Sequence, residues 1–116
     1  MWTYKQGSGE LSNGTVTFLG YSGSFDHFGS EWETLQDIGP LPQGKYSIGA
    51  PTTEKGPLSL PLTPDPANEM YGRSVFLIHG DNALHPGHSS EGCIIMAETA
   101  RQAIVSSGDN QLTVIS

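Results

Sequence analysis

The chain is expected to fold mainly as β-structure, a sandwich or barrel, with one short α-helix. Three observations carry this expectation. Fifteen Gly and eight Pro in 116 residues, with only 15% charged residues, indicate many turns between short strands. Several short segments alternate apolar and polar residues with the period of two that a half-buried strand requires. Helical spacing of apolar residues is convincing in one place only, Ala97–Ser107. The length fits a single domain spanning residues 1–116.

Trp2 and Tyr4 alternate with Thr3 and Lys5 as a first strand. Gly7-Ser8-Gly9 makes a turn, and Leu11 leads to Asn13-Gly14, a strong hairpin signal. Thr15–Leu19, β-branched and aromatic, is the returning strand. Gly20 to Gly39 is irregular, with a short helical turn near Ser30–Gln36 that Ser30 caps and Glu33 closes as a capping box. A loop of this length in a small domain usually has a function. His27 reads as a surface residue there, and Tyr21 and Trp32 fit a substrate groove or the core equally well.

Gly39-Pro40-Leu41-Pro42-Gln43-Gly44 is a rigid turn feeding the alternating strand Lys45–Ala50, and Pro51–Gly56 is a further loop. Leu58–Leu62 also alternates, but Pro61 assigns it to a sheet edge. Thr63–Tyr71 is a polar connection. Ser74–Ile78 is the most apolar strand and belongs in the centre of the sheet. Ile94–Met96 forms another apolar strand. In the helix that follows, Ala100, Ala103 and Ile104 recur at helical spacing, and Gly108 stops it. Gln111–Ile115 is the last strand.

The net charge of −7 argues against nucleic acid or an anionic membrane as partner. The single cysteine, Cys93, excludes an intramolecular disulfide. No run is long enough to span a membrane. The residues at the N-terminus lack the basic and apolar regions of a signal peptide.

Chemistry concentrates between His79 and Met96, a loop that holds Cys93 and three of the four histidines, His79, His85 and His88. A thiol and an imidazole at the two ends of a Gly/Ser/Pro-rich loop can meet in space, the minimum apparatus for a cysteine nucleophile with a histidine base. Gly92 before Cys93 lets a substrate carbonyl approach, and the N–H groups of Gly92 and Cys93 are expected to form an oxyanion hole. His79, at the mouth of a rigid strand, is the expected base, with the Gly80 carbonyl or another loop carbonyl fixing its tautomer. Asp81 is expected to organise the loop through side-chain hydrogen bonds.

Ile78-His79-Gly80 followed by Ser90-Glu91-Gly92-Cys93-Ile94 resembles the active-site signature of the YkuD-like L,D-transpeptidases. More of the chain is similar to one branch of that superfamily, the L,D-transpeptidase effector domain of type VI secretion systems. The matching segments are Met1-Trp2-Thr3-Tyr4, Gly20-Tyr21-Ser22-Gly23, Gly39-Pro40-Leu41-Pro42 with Gly44, Tyr46, Ile48 and Gly49, and Gly72-Arg73-Ser74 leading into Phe76–Asn82. The resemblance implies a YkuD-like β-sandwich or barrel without cofactor, acting on the bond between diaminopimelate and the terminal D-Ala of a peptidoglycan stem. It implies Cys93 as nucleophile, His79 as base, Ser90 shaping the loop with Gly92 and Gly80, and Arg73 holding a substrate carboxylate. Tyr21, Asp81 and Asn82 are the further substrate-binding candidates. The commoner signature has His before Gly-Cys and often Arg after the apolar residue. Glu91 and Ile95 stand there instead, which favours carboxypeptidase and D-amino-acid exchange over crosslinking. An effector of this kind implies synthesis in a bacterial cytoplasm, delivery by a secretion system to the periplasm of a target cell, and an immunity protein that protects siblings.

Other readings are a zinc site from His85, His88, Cys93 and His79, a catalytically inactive wall-binding module, and a phage-related wall enzyme. His85 or His88 could also replace His79 as base if the loop folds over Cys93.

Overall fold

The computed structural model describes residues 1–81, 90 and 92–116. The chain forms nine strands and one α-helix: β1 (Trp2–Lys5), β2 (Glu10–Ser12), β3 (Thr17–Leu19), β4 (Tyr21–Ser22), β5 (Gly44–Ile48), β6 (Leu60–Pro64), β7 (Phe76–His79), β8 (Ile94–Ile95), α1 (Glu98–Ser107) and β9 (Gln111–Ile115). The expected mainly β fold, with a single short helix after Cys93, is the one adopted. Among the described residues no helix is long and apolar enough to cross a membrane.

The strands form one sheet in the order β3-β2-β1-β9-β5-β6-β7-β8-β4. β1 runs parallel to β9, and β7 parallel to β8; the remaining neighbours are antiparallel. β3 and β4 stand at opposite ends of this order, yet only Gly20 separates them in the chain. The sheet therefore curls until its ends meet, which makes it a nearly closed barrel. At that seam the Gly20 N–H donates to the Gly9 carbonyl at 2.9 Å. A Cβ on Gly20 would strike the Ile95 carbonyl and lie 2.7 Å from Met96 Sδ, so only glycine fits the closure.

Inward-facing side chains of the alternating strands build the core: Trp2 and Tyr4 from β1, Tyr46 and Ile48 from β5, Leu60 and Leu62 from β6, Leu112 and Val114 from β9. Helix α1 adds Ala100 and Ile104 to the same cluster. It connects β8 to β9, and Trp2 Nε1 of β1 donates to Ser107 Oγ at its last turn at 3.3 Å. Gly108 ends α1 in the left-handed conformation, φ 70°.

Several expectations shift. The Asn13-Gly14 hairpin forms, but β3 starts at Thr17, because Asn13 Oδ1 holds the N–H groups of Thr15 (2.9 Å) and Val16 (3.0 Å) in the turn. The Pro61 segment is not an edge: β6 pairs with β5 on one side and β7 on the other. Pro61 lies past the last β5–β6 pair, Ile48↔Leu62, and its carbonyl still accepts from Gly49 N at 2.8 Å, so its missing N–H falls where the ladder ends. The strand expected over Ser74–Ile78 starts at Phe76, because Val75 is in the left-handed region (φ 65°) and 80% exposed. Within the irregular segment, the helical turn is a 3-10 turn at Ser30–Trp32 preceded by Gly29, with no side-chain cap. Glu33 points inward instead of closing a capping box: its carboxylate accepts from Gln6 Nε2 (2.8 Å), Tyr71 OH (3.1 Å) and Gln43 Nε2 (3.2 Å).

Replacing Gly20 by Val is expected to destabilise the fold by about 1–3 kcal/mol through overpacking at the seam. The midpoint of urea denaturation measures this. A loss below about 0.5 kcal/mol, the size of an ordinary surface change, would contradict the closure described.

Candidate active site

β7 delivers His79 at its C-terminal end, and β8 begins immediately after Cys93. The two strands are parallel, with Ile78 opposite Ile94 and His79 opposite Ile95. Ile78 and Ile94 point into the core, so strand alternation turns Leu77, His79 and Ile95, with Cys93 at the strand mouth, to the other face. That face is also covered: His79 is 6% exposed, and Leu77 and Ile95 are buried. His79 and the half-buried Cys93 line one cavity of about 410 Å³, together with Arg73, Phe76, Lys55 and Asp37.

His79 Nδ1 lies 2.9 Å from the Gly80 carbonyl. A carbonyl can only accept, so Nδ1 carries the proton of the neutral ring and Nε2 holds the basic lone pair. Burial lowers the His79 pKa below the ordinary 6.5; the nearby cations Lys55 and Arg101 lower it further, against the Gly80 hydrogen bond and Asp81. The imidazole is thus kept neutral, the form a base requires.

Ser90 shapes the turn before Cys93. Its buried hydroxyl donates to the Cys93 carbonyl (2.6 Å) and accepts from the N–H groups of Gly92 (3.0 Å) and Gly23 (2.9 Å). This corrects the expected oxyanion hole, because the Gly92 N–H is already bound to Ser90 and is not available beside that of Cys93. Gly92 has φ 128° and packs under Arg73 and Phe76, where a Cβ would lie 2.8 Å from the Phe76 ring.

Arg73 is buried. Nη1 donates to the Glu33 and Pro40 carbonyls, both at 2.7 Å, Nη2 to the Gly39 carbonyl at 2.9 Å, and the guanidinium lies over the Phe76 ring at 5.4 Å. Burial lowers its pKa, while Tyr46, Asp37, Glu33 and Cys93 favour its charge. Tyr21 OH donates to Asp81 Oδ1 at 2.7 Å, so these two expected substrate-binding residues are joined, and Asp81 takes part in side-chain hydrogen bonding as expected. Tyr21 and Trp32 lie outside the core cluster; Trp32 packs edge-on against His27, 4.6 Å between centroids. Asn82, His85, His88 and Glu91 lie outside the described residues, and with them the zinc alternative.

A family described as the Tlde1 domain matches residues 16–115. The chain belongs to the Tlde1 domain family. The family is one of type VI secretion effectors, in agreement with the effector context expected from the motifs. No curated protein and no solved structure matches the chain.

In this Tlde1 domain, four residues at the site escaped the motif reading. Ser22 Oγ accepts from Leu41 N (2.8 Å) and donates to the Gly92 carbonyl (2.9 Å). Glu33 anchors the segment that Arg73 grips. Lys55 and Arg101 flank His79 electrostatically. The sequence signals were Ser22 within the matching segment Gly20–Gly23, and Arg101 as a charge on the apolar stripe of α1 between Ala100 and Ile104.

Two outcomes are expected for this Tlde1 domain. Ser90→Ala strands two buried N–H groups and a carbonyl, and should cost at least about 3 kcal/mol in urea denaturation, at roughly 1–3 kcal/mol per orphaned group. The second concerns pH. Between the lowered folded-state pKa of His79 and 6.5, the unfolded chain binds more protons than the folded one, so stability rises with pH in that window. His79→Gln should remove that portion of the slope; an unchanged slope in the variant would refute it.

Proposed function

We propose that this Tlde1 domain is a cysteine-dependent enzyme of peptidoglycan stem peptides, an L,D-carboxypeptidase and L,D-transpeptidase of the exchange type. The observation that carries the reading is that His79, at the end of β7, and Cys93, immediately before the parallel neighbour β8, line one cavity, with His79 Nδ1 held by the Gly80 carbonyl.

In this reading, His79 Nε2 takes the proton of the Cys93 thiol. A thiolate there attracts the Arg73 guanidinium, which favours the reactive form. The sulfur attacks the carbonyl carbon that links diaminopimelate to the terminal D-Ala. A C–S bond forms, the C–N bond breaks, and the leaving amine takes the proton from His79. Water then opens the thioester, for net loss of D-Ala, or the amine of another amino acid does so, for exchange.

Ser90, Gly92 and Gly80 act as positioning residues: the first two fix the thiol turn and the third fixes the imidazole tautomer. Arg73, anchored on three carbonyls, serves the thiol and the frame rather than a substrate carboxylate. Tyr21 with Asp81 would form the wall against the stem peptide. Family membership supports an antibacterial role, with delivery by a type VI secretion system, action in the periplasm of a target cell and neutralisation by an immunity protein.

The test is incubation with disaccharide-tetrapeptide muropeptides, with and without an added D-amino acid, read by mass spectrometry. Loss or replacement of the terminal D-Ala is expected. Cys93→Ala should abolish it, and His79→Ala should slow it by about 10²–10⁴-fold. Product formed equally by Cys93→Ala, or no product from a wild-type protein that purifies with zinc, would overturn the reading.

A further inference from the structure

The chain has five Lys and Arg against twelve Asp and Glu, yet Lys55, Arg73 and Arg101 gather around His79. Beside the cavity of Cys93 lies a second one, of about 310 Å³, lined by Lys55, Pro57, Gly80, Asp81, Glu98 and Arg101. Its volume suits a small ligand, near the lower end of the roughly 300–1,000 Å³ typical of such sites. Lys55 borders both cavities, and Gly80 joins the second directly to His79.

Arg101 is only 8% exposed and is fixed by three carbonyls: Nε donates to Met96 (3.1 Å), and Nη1 to Pro57 (2.7 Å) and Leu58 (3.3 Å). Nη2 has no partner among the described residues. It lies 2.9 Å from the position a Cβ on Gly80 would take, so glycine there leaves the space in front of it open. The Lys55 ammonium likewise has no hydrogen-bond acceptor or ion-pair partner among the described residues. Arg101 lines this cavity with its Nη2 edge reachable from solvent, where a ligand carboxylate can meet it in a charge-assisted hydrogen bond. On the same cavity stand two carboxylates, Asp81 and Glu98; the Glu98 side chain receives only a long contact from Gln102 Nε2 at 3.5 Å. Two cations and two carboxylates around one small cavity suit a ligand that is neutral overall with separated poles.

We propose that this second cavity is a subsite for a free α-amino acid, with its carboxylate on Arg101 Nη2 and Lys55 and its ammonium toward Asp81 and Glu98. The proposal rests on the acyl-transfer reading above, in which this ligand is the residue released from, or added to, the stem peptide. On release, the new amine takes the proton of His79 and then a second from solvent. In the reverse direction the neutral amine attacks the thioester carbon, the C–S bond breaks, and a proton of the attacking nitrogen passes to His79 Nε2.

The test uses the full chain with Cys93→Ala, so that no chemistry occurs, and follows binding of D-alanine by NMR titration. D-alaninamide, which lacks the carboxylate, and N-acetyl-D-alanine, which lacks the ammonium, serve as controls. D-alanine is expected to saturate, and each control to bind at least tenfold more weakly. Lys55→Gln and Glu98→Gln, on exposed side chains, should each weaken D-alanine several-fold while leaving the melting temperature unchanged. Arg101→Gln should weaken it most, but it also removes the carbonyl anchors, so the other two variants decide. Absence of saturable binding, equal binding of the three compounds, or indifference to Lys55→Gln and Glu98→Gln would overturn the subsite. Cys93-dependent trimming without alanine binding would refute the subsite alone; alanine binding without trimming would uphold the subsite and refute the acyl-transfer reading.

Discussion

Two serine hydroxyls stitch β4 to the turn that carries Cys93. Ser22 bridges the Leu41 N–H and the Gly92 carbonyl, while Ser90 gathers the N–H groups of Gly23 and Gly92 and the Cys93 carbonyl. Both are buried, so each bond is made where water cannot substitute for it. The stitch does two jobs together. It attaches the last strand in the sheet order to β8, which allows the β3–β4 seam to close at Gly20. It also fixes the backbone on both sides of the thiol. Closing the barrel and setting the cysteine are therefore one event, and Ser90 spends its full hydrogen-bonding capacity on it, which is why the Gly92 N–H cannot serve a substrate oxyanion.

Arg73 applies the same logic with a charge. Its guanidinium would be costly to bury unsatisfied, and it is held by carbonyls of Glu33, Gly39 and Pro40. Those carbonyls belong to the segment between β4 and β5. Glu33 binds the same segment back to Gln6 and Tyr71. One cation thus organises an irregular segment and lines the same cavity as Cys93.

The charge balance of the two cavities differs from that of the chain. A net charge of −7 repels anionic ligands at a distance, and salt screens that repulsion beyond about 10 Å. Within the two cavities, Lys55, Arg73 and Arg101 are balanced by Asp37, Glu54, Asp81 and Glu98, so each lining carries both signs of charge. Burial first, and then the nearness of Lys55 and Arg101, keeps His79 neutral.

The amino-acid sequence alone determined the strands with clean alternation, the helix after Cys93, its stop at Gly108, and the His79–Cys93 pair with Gly80 and Ser90 as its supports. These features are local: each depends on periodicity, a turn residue or a short motif that a few neighbouring positions carry. Tertiary structure decided the rest. Pro61 is an ordinary edge marker until the ladder shows that its missing N–H falls beyond the end of β5. Glu33 fits a helix cap in sequence, but Gln6 and Tyr71, distant along the chain, offer it better partners inside. Gly92 promised an oxyanion donor until Ser90 Oγ was found on its N–H. Lys55 and Arg101 carry no motif, and their relation to His79 exists only because β7, α1 and the loop after β5 converge in space. Hydrogen-bond capacity and charge are properties of a residue, but which partner takes them up is settled by chain closure.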